Sequence, residues 1–147
     1  MKIDGKPMRT IWLADDGRSV EIIDQTKLPH RLEIARLLTL DDFAHAIHSM
    51  QVRGAPLIGI TAAYGLAMAL SVDPTDAAMD RAIAYLARQR PTAVNLRWAL
   101  EEVRRAVAPL AAAQRADAAY AKAAALADED AQACRRIGEH GVALIEA

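Results

Sequence analysis

The alternation of apolar and polar positions changes character near residue 30. Before it, Thr10-Ile11-Trp12-Leu13 and Ser19-Val20-Glu21-Ile22-Ile23-Asp24 are short runs rich in β-branched and aromatic residues, separated by Ala14-Asp15-Asp16-Gly17-Arg18. Such runs suit a half-buried pleated strand, and Asp-Gly suits a tight reversal, so the spacing predicts a β-hairpin within residues 1–30. Pro29, lacking an amide hydrogen, ends regular pairing there.

From Thr39 the period becomes helical, and the whole of 39–147 is expected to be helical. Thr39 with Asp42 reads as a capping pair opening a helix through about Ser49. After the interruption at Val52-Arg53-Gly54-Ala55-Pro56, a second helix is expected from Pro56 to Ser71, with the proline in its first turn, where an amide hydrogen has no intrahelical partner. Asp73-Pro74 breaks the pattern. Thr75 can cap a third helix carrying Met79, Ile83 and Leu86 and ending near Gln89. Beyond Arg90-Pro91-Thr92, the recurrence of Leu96, Leu100, Val103 and Val107 marks the buried stripe of a fourth helix closed by Pro109. Residues 114–146 read as one long helix or two in series, with Leu126, Ile137, Leu144 and Ile145 as its larger apolar anchors.

Composition sharpens this picture. Of 147 residues, 33 are alanine, 17 of them after Glu101, and alanine is the best helix former. Aromatics make up only 4%, which implies helices approaching closely through small side chains. The fold class expected is α+β and mainly helical: a small N-terminal antiparallel sheet packed on a helical bundle, in one domain running from Met1 to Ala147. The uncharged stretch from Gly54 to Val72 has the length of a membrane span, but seven of its nineteen residues are Gly, Pro, Thr, Ser or Tyr and alanine is frequent among the rest. We read it as a buried helix of a soluble protein.

With 18 basic and 19 acidic residues, the electrostatic case for a nucleic acid or membrane-surface partner disappears, leaving a small molecule or a protein. The lone Cys134 cannot form an internal disulfide, and the opening MKIDGKPMRT lacks the apolar core of a secretion signal, so the cytoplasm is the expected compartment.

Two segments combine an arginine with a helix start. In Arg53-Gly54-Ala55-Pro56, free amides and the positive end of the helix dipole suit an anion, Gly54 allows close approach to the backbone, and Arg53 offers a fork matched to phosphate. A plain turn with a solvated arginine is the competing reading. Gly54 and Gly59 have P-loop spacing, but Ile60-Thr61 follow where lysine and serine or threonine are needed, so a nucleotide loop is not supported. Arg90-Pro91-Thr92-Ala93-Val94-Asn95-Leu96 repeats the grammar, with Thr92 and Asn95 as first-turn hydrogen-bonding groups; ordinary capping competes here. Two such starts could converge on one phosphorylated ligand. His45 and His48 lie three apart, but no further ligand completes a metal site, so they read as surface histidines. Arg135 and Arg136 could lower the pKa of Cys134, yet a lone helical cysteine is more often packing than a nucleophile.

Ile23-Asp24-Gln25-Thr26-Lys27-Leu28-Pro29, Val52-Arg53-Gly54-Ala55-Pro56-Leu57-Ile58-Gly59-Ile60, Arg90 to Leu96 and the closing Arg136-Ile137-Gly138-Glu139-His140-Gly141 resemble, in that order, the N-terminal part of the 5-methylthioribose-1-phosphate isomerase family. The wider superfamily includes ribose-1,5-bisphosphate isomerases and the regulatory subunits of translation initiation factor 2B; the Arg-Pro-Thr-Ala-Val-Asn-Leu and Asp-Gln-Thr-x-Leu-Pro runs look most like the methylthioribose enzymes. The resemblance implies a cytoplasmic, cofactor-free and metal-independent aldose–ketose isomerase of methionine salvage, usually homodimeric, acting on a phosphorylated sugar. It also implies substrate binding by Arg53, Gly54, Ala55 and Arg90. Family members continue into a Rossmann-like domain holding a catalytic cysteine, in a Thr-His-Cys-Asn segment, and a catalytic aspartate. Neither motif occurs in these 147 residues, and Cys134 does not match the cysteine. The resemblance therefore implies that the family's catalytic cysteine and aspartate correspond to positions beyond Ala147, and that this chain carries no catalytic residue and is inactive alone.

Overall fold

The computed structural model describes residues 2–3 and 5–146, so the expected domain limits at Met1 and Ala147 lie outside the described residues. The helical region expected to run through Ala147 is described as helix only as far as Ile145, followed by Glu146 as the C-cap. An N-terminal pair of two-residue strands, β1 (Lys2–Ile3) and β2 (Lys6–Pro7), precedes a three-stranded antiparallel sheet in the order β3 (Ile11–Leu13), β4 (Val20–Ile23), β5 (Ile34–Leu37). The β3–β4 reversal is the expected hairpin, with Gly17 at φ 68°. Asp16 Oδ1 accepts from the amides of Arg18 and Ser19 at 2.9 and 2.8 Å, closing the turn through its own side chain.

The third strand was not expected. β5 pairs with β4 in the register Val20↔Leu37 and Ile22↔Ala35, which puts Ile11, Val20, Ile22 and Leu37 into the core shared with the helices. On the other face Trp12 Nε1 donates to Glu21 Oε2 at 2.8 Å and Arg36 reaches Asp16 Oδ2 at 2.7 Å. A sheet packed on a helical bundle is thus the observed architecture.

Five helices follow: α1 (Leu40–His48), α2 (Ala55–Val72), α3 (Asp76–Ala87), α4 (Val94–Val107) and α5 (Ala112–Ile145). α1 opens with a capping box: Thr39 Oγ1 accepts from the Asp42 amide at 3.2 Å while Asp42 Oδ2 accepts from the Thr39 amide at 2.8 Å. Thr75 caps α3 through the Ala78 amide. α2, without a charged residue, is the hub: α1, α3, α4 and α5 all pack against it, and it buries residues on every side, from Leu57 through Met68 and at Leu70. Among the described residues it is the one helix long and apolar enough to cross a membrane, and 72% of it is buried inside the protein. Small side chains allow the close approach: a Cβ at Gly59 would lie 2.7 Å from the Asn95 carbonyl oxygen and 3.2 Å from Ala99 Cβ of α4.

Two expectations about the later helices need correction. Arg90-Pro91-Thr92 does not open α4. It forms a turn in which the Arg90 carbonyl accepts from the Ala93 amide at 3.0 Å, and the helix starts at Val94 after an Ala93 cap, with no side-chain bond from Thr92 or Asn95. The C-terminal helix is single, but of its expected anchors only Leu126 is buried; Ile137, Leu144 and Ile145 are 71%, 84% and 86% exposed. Length explains this. At 1.5 Å per residue α5 is about 51 Å long against about 21 Å for α4, so the periodic pattern runs past the end of the helices that could cover it.

Candidate functional site

The Arg53 segment lies in the loop from α1 to α2, between two residues of positive φ, Met50 at 64° and Gly54 at 88°. Gly54 is the N-cap of α2; it contributes no side-chain bond, and Pro56 occupies the first turn. The first intrahelical bond runs from the Ile58 amide to the Gly54 carbonyl at 3.0 Å, so the amides ahead of it have no partner within the helix. Arg53, Gly54, Ala55 and Pro56 are all exposed. Arg53 Nε donates to the Met50 carbonyl at 3.4 Å and Nη2 to the Gln25 carbonyl at 3.3 Å. Both partners are neutral and both bonds long, so most of the guanidinium's donors remain available to an anion.

The helix starts differ in electrostatics. α1 and α3 begin with threonine caps and acidic first turns, Asp41 and Asp42 in one and Asp76 in the other. α2 and α4 begin with neither a side-chain cap nor an acidic residue, which preserves the positive end of each dipole. α5 also lacks a side-chain cap, but it begins just after α4 ends, at the opposite end of α4 from Val94. α2 and α4 meet near their starts: Pro56, Gly59 and Ile60 of α2 and Asn95, Trp98 and Ala99 of α4 line one cavity of about 220 Å³, closed by Leu126, Glu129, Asp130 and Ala133 of α5. Arg90 is half-buried in the turn before α4. The structure brings the two helix starts to one side of the bundle.

Sequence reasoning assigned no role to Asp24, which the structure ties to this loop. Its carboxylate, 5% exposed, accepts from the Thr26 amide and hydroxyl at 2.9 and 2.6 Å through Oδ1 and from Gln51 Nε2 at 3.0 Å through Oδ2. Burial pushes this carboxyl up, but the Thr26 and Gln51 bonds and the nearby Lys27 charge outweigh it and hold it below the usual carboxylate range. The Asp-x-Thr spacing was a readable turn signal; the bond to Gln51, 27 residues away, was not.

The remaining candidates stand apart. His45 and His48 lie on α1, and no group of three metal-ligating side chains occurs among the described residues. Cys134 is exposed on α5, and Arg135 is ion-paired to Glu139 at 2.8 Å. A larger cleft of about 500 Å³ between Leu38, Met68, Val72 and Tyr85 contains neither arginine of the site.

A model of the initiation factor 2 subunit family matches residues 51–147. Methylthioribose-1-phosphate isomerase of Acidiphilium cryptum is 59% identical over the whole chain, which covers 40% of that protein. The namesake from Paramagnetospirillum magneticum is 55% identical over the whole chain and 41% of its own length. Among solved structures, the delta subunit of translation initiation factor eIF-2B from A. fulgidus superimposes with a TM-score of 0.85 at 34% identity, over 94% of this chain and 42% of that one. The 5-methylthioribose 1-phosphate isomerase of Pyrococcus horikoshii gives 0.83 at 32% identity, over 92% and 40%. The chain therefore spans about two fifths of the length of the relatives it matches.

Proposed function

This chain belongs to the initiation factor 2 subunit family, and within that family we propose that it is the N-terminal, substrate-binding part of an aldose–ketose isomerase converting 5-methylthioribose 1-phosphate to 5-methylthioribulose 1-phosphate. The observation that carries the reading is the open start of α2, uncapped and free of acid, with Arg53 beside it and paired only to neutral carbonyls. Identities of 55–59% to proteins of that name support it. Arg53, Gly54 and Ala55 hold the substrate phosphate on backbone amides and a guanidinium fork. Arg90 approaches from the turn before α4.

The reaction explains the division of labour. A phosphate on the anomeric oxygen of a furanose prevents spontaneous ring opening, so the C1–ring-oxygen bond must break on the protein, with a proton delivered to the ring oxygen, hydrogen moved from C2 to C1 and the C2 hydroxyl proton lost, all by positioned acid or base groups. Fixing the phosphate and orienting the sugar supplies proximity, and the proton transfer falls to groups outside this chain. The acid and base belong to the part of a longer protein beyond Ala147, and we place that protein in the cytoplasm as a homodimer without metal or cofactor. Calorimetric titration of this chain with 5-methylthioribose 1-phosphate should show saturable binding without turnover, abolished by Arg53→Ala and weakened by Arg90→Ala. Binding unchanged in both variants would refute the site; turnover by the purified 147-residue chain, lost in Arg90→Ala, would refute the division of labour.

The similarity to the eIF-2B delta subunit favours one second reading, a regulatory or assembly module that binds a sugar phosphate without converting it. Binding by the longer protein with no isomerisation, of this substrate or of ribose 1,5-bisphosphate, would select it.

A further inference from the structure

Asp24 uses its two carboxylate oxygens for different purposes. Oδ1 closes a local turn with Thr26, for which an asparagine would serve equally well. Oδ2 accepts from Gln51 Nε2, a bond strengthened by the carboxylate charge; an asparagine would keep a bond there only with the Gln51 amide turned over to offer its oxygen, and that bond would be a neutral one. Burying a carboxylate to 5% exposure is unfavourable unless every such bond is made, so its presence points to the partner it serves.

That partner opens the Arg53 loop. Gln51 is bonded twice to the Asp24 segment: its side chain donates to Asp24 Oδ2, and its carbonyl accepts from the Gln25 amide at 2.9 Å. The Gln25 carbonyl then accepts from Arg53 Nη2 at 3.3 Å, while Arg53 Nε spans back to Met50 at 3.4 Å. Met50 takes a left-handed conformation at φ 64°, unfavourable for a side chain of its size, and such a conformation persists only where its surroundings enforce it. Fully buried Val52, with its amide on the Ala46 carbonyl at 3.3 Å, pins the same loop from the other side. Each acceptor of the Arg53 fork is therefore held by a group that Asp24 or Gln51 fixes.

We propose that Asp24 is a positioning residue: through Gln51 it sets where the Arg53 guanidinium sits at the start of α2. The proposal rests on the anion-binding role given above to Arg53. It assigns a purpose to the Asp24–Gln51 bond beyond stability, since long bonds to neutral carbonyls would otherwise let the arginine swing into solvent.

The test uses this chain, inorganic phosphate as the probe, and ¹⁵N relaxation of the Arg53 Nε–H group. Gln51→Met removes the donor and Gln51→Glu sets a carboxylate against the Asp24 carboxylate, so each breaks the bond without touching the Thr26 turn. Each should lower the order of the Arg53 side chain and weaken phosphate binding about tenfold, the loss of one well-placed bond. In the double variant Asp24→Asn/Gln51→Glu the donor and acceptor are exchanged and the bond is restored. Its affinity should return to within about twofold of wild type, a rescue that a purely structural loss of stability would not produce. Unchanged Arg53 mobility and affinity in folded Gln51→Met, or a double variant no better than Gln51→Glu, overturns the proposal. Phosphate binding that is absent in the wild type, or untouched by Arg53→Ala, refutes the anion site itself and removes the purpose given to Asp24.

Discussion

Replacing Gly59 with alanine adds one methyl group where α2 and α4 are closest. The new Cβ would lie 2.7 Å from the Asn95 carbonyl oxygen and 3.2 Å from Ala99 Cβ. The first of these neighbours is backbone inside a helix and cannot rotate away, so α4 must retreat by several tenths of an ångström along its buried stripe of Leu96, Ala99 and Leu100. Overpacking of this kind costs about 1–3 kcal/mol, and a rigid opposing atom puts the variant in the upper half of that range. Alanine returns about 1 kcal/mol of helix propensity relative to glycine. The net loss is about 1–2 kcal/mol, or a fall of about 3–6 °C in the thermal midpoint of a domain this size. Gly138 provides the matched control: it sits in α5, exposed, and an added Cβ meets nothing within 4 Å. Gly138→Ala should therefore raise stability by about 0.5–1 kcal/mol. Thermal unfolding followed by circular dichroism reads both. A Gly59→Ala midpoint equal to or above wild type, alongside a raised Gly138→Ala midpoint, would show that α2 and α4 are not held at this distance.

Three further outcomes follow from local geometry. Thr39→Ala removes one arm of the α1 capping box and should cost about 1 kcal/mol in urea unfolding, with an unshifted midpoint counting against the cap. Arg115, 8% exposed, donates to the carbonyls of Pro74, Ala108 and Leu110 at 2.9, 3.4 and 3.1 Å, tying the starts of α3 and α5 to the end of α4. Arg115→Met leaves those acceptors without their donor and should cost about 2–3 kcal/mol, with Arg115→Lys recovering only part of it; equal denaturant midpoints for all three proteins would contradict this. Asp24 has a folded pKa below its ordinary 3.8, so between the two values the unfolded chain binds more protons and stability rises with pH. Its contribution is complete above about pH 5 and is lost as pH falls through 3.8 toward the lower folded value, so Asp24→Asn should flatten the acid limb of the midpoint-versus-pH curve. Parallel curves between about pH 6 and about pH 3 would rule that contribution out.

Much of the helical half was legible because its determinants are local. Thr39 with Asp42 and Thr75 with Ala78 are bonds three residues long, and the observed caps are the expected ones. The uncharged run before Val72 could be stable in water only with every face covered, and α2 is the hub of the bundle. The hairpin around Gly17 likewise follows from residues adjacent in the chain. β5 was not legible: Ile34-Ala35-Arg36-Leu37 has no strong alternation of its own, and it is a strand because β4 offers it an edge. Nor could periodicity say that Ile137, Leu144 and Ile145 would be uncovered, since a stripe repeats whether or not a partner lies opposite it.

The candidate site divides along the same line. Local chemistry is enough to stand Arg53-Gly54-Ala55-Pro56 at a helix start with its amides open, because glycine, proline and the absence of a capping side chain act within one turn. It is enough, too, to put α4 downstream of Arg90, but not to say where that helix begins; there a turn through Pro91 and Thr92 intervenes. That the α2 and α4 starts meet across Gly59 and Asn95, and that Asp24 grips Gln51 behind Arg53, emerges only in the packed chain. Those contacts join residues some 30 positions apart, and bonds at that range exist only once the packing of every intervening element has brought their ends together.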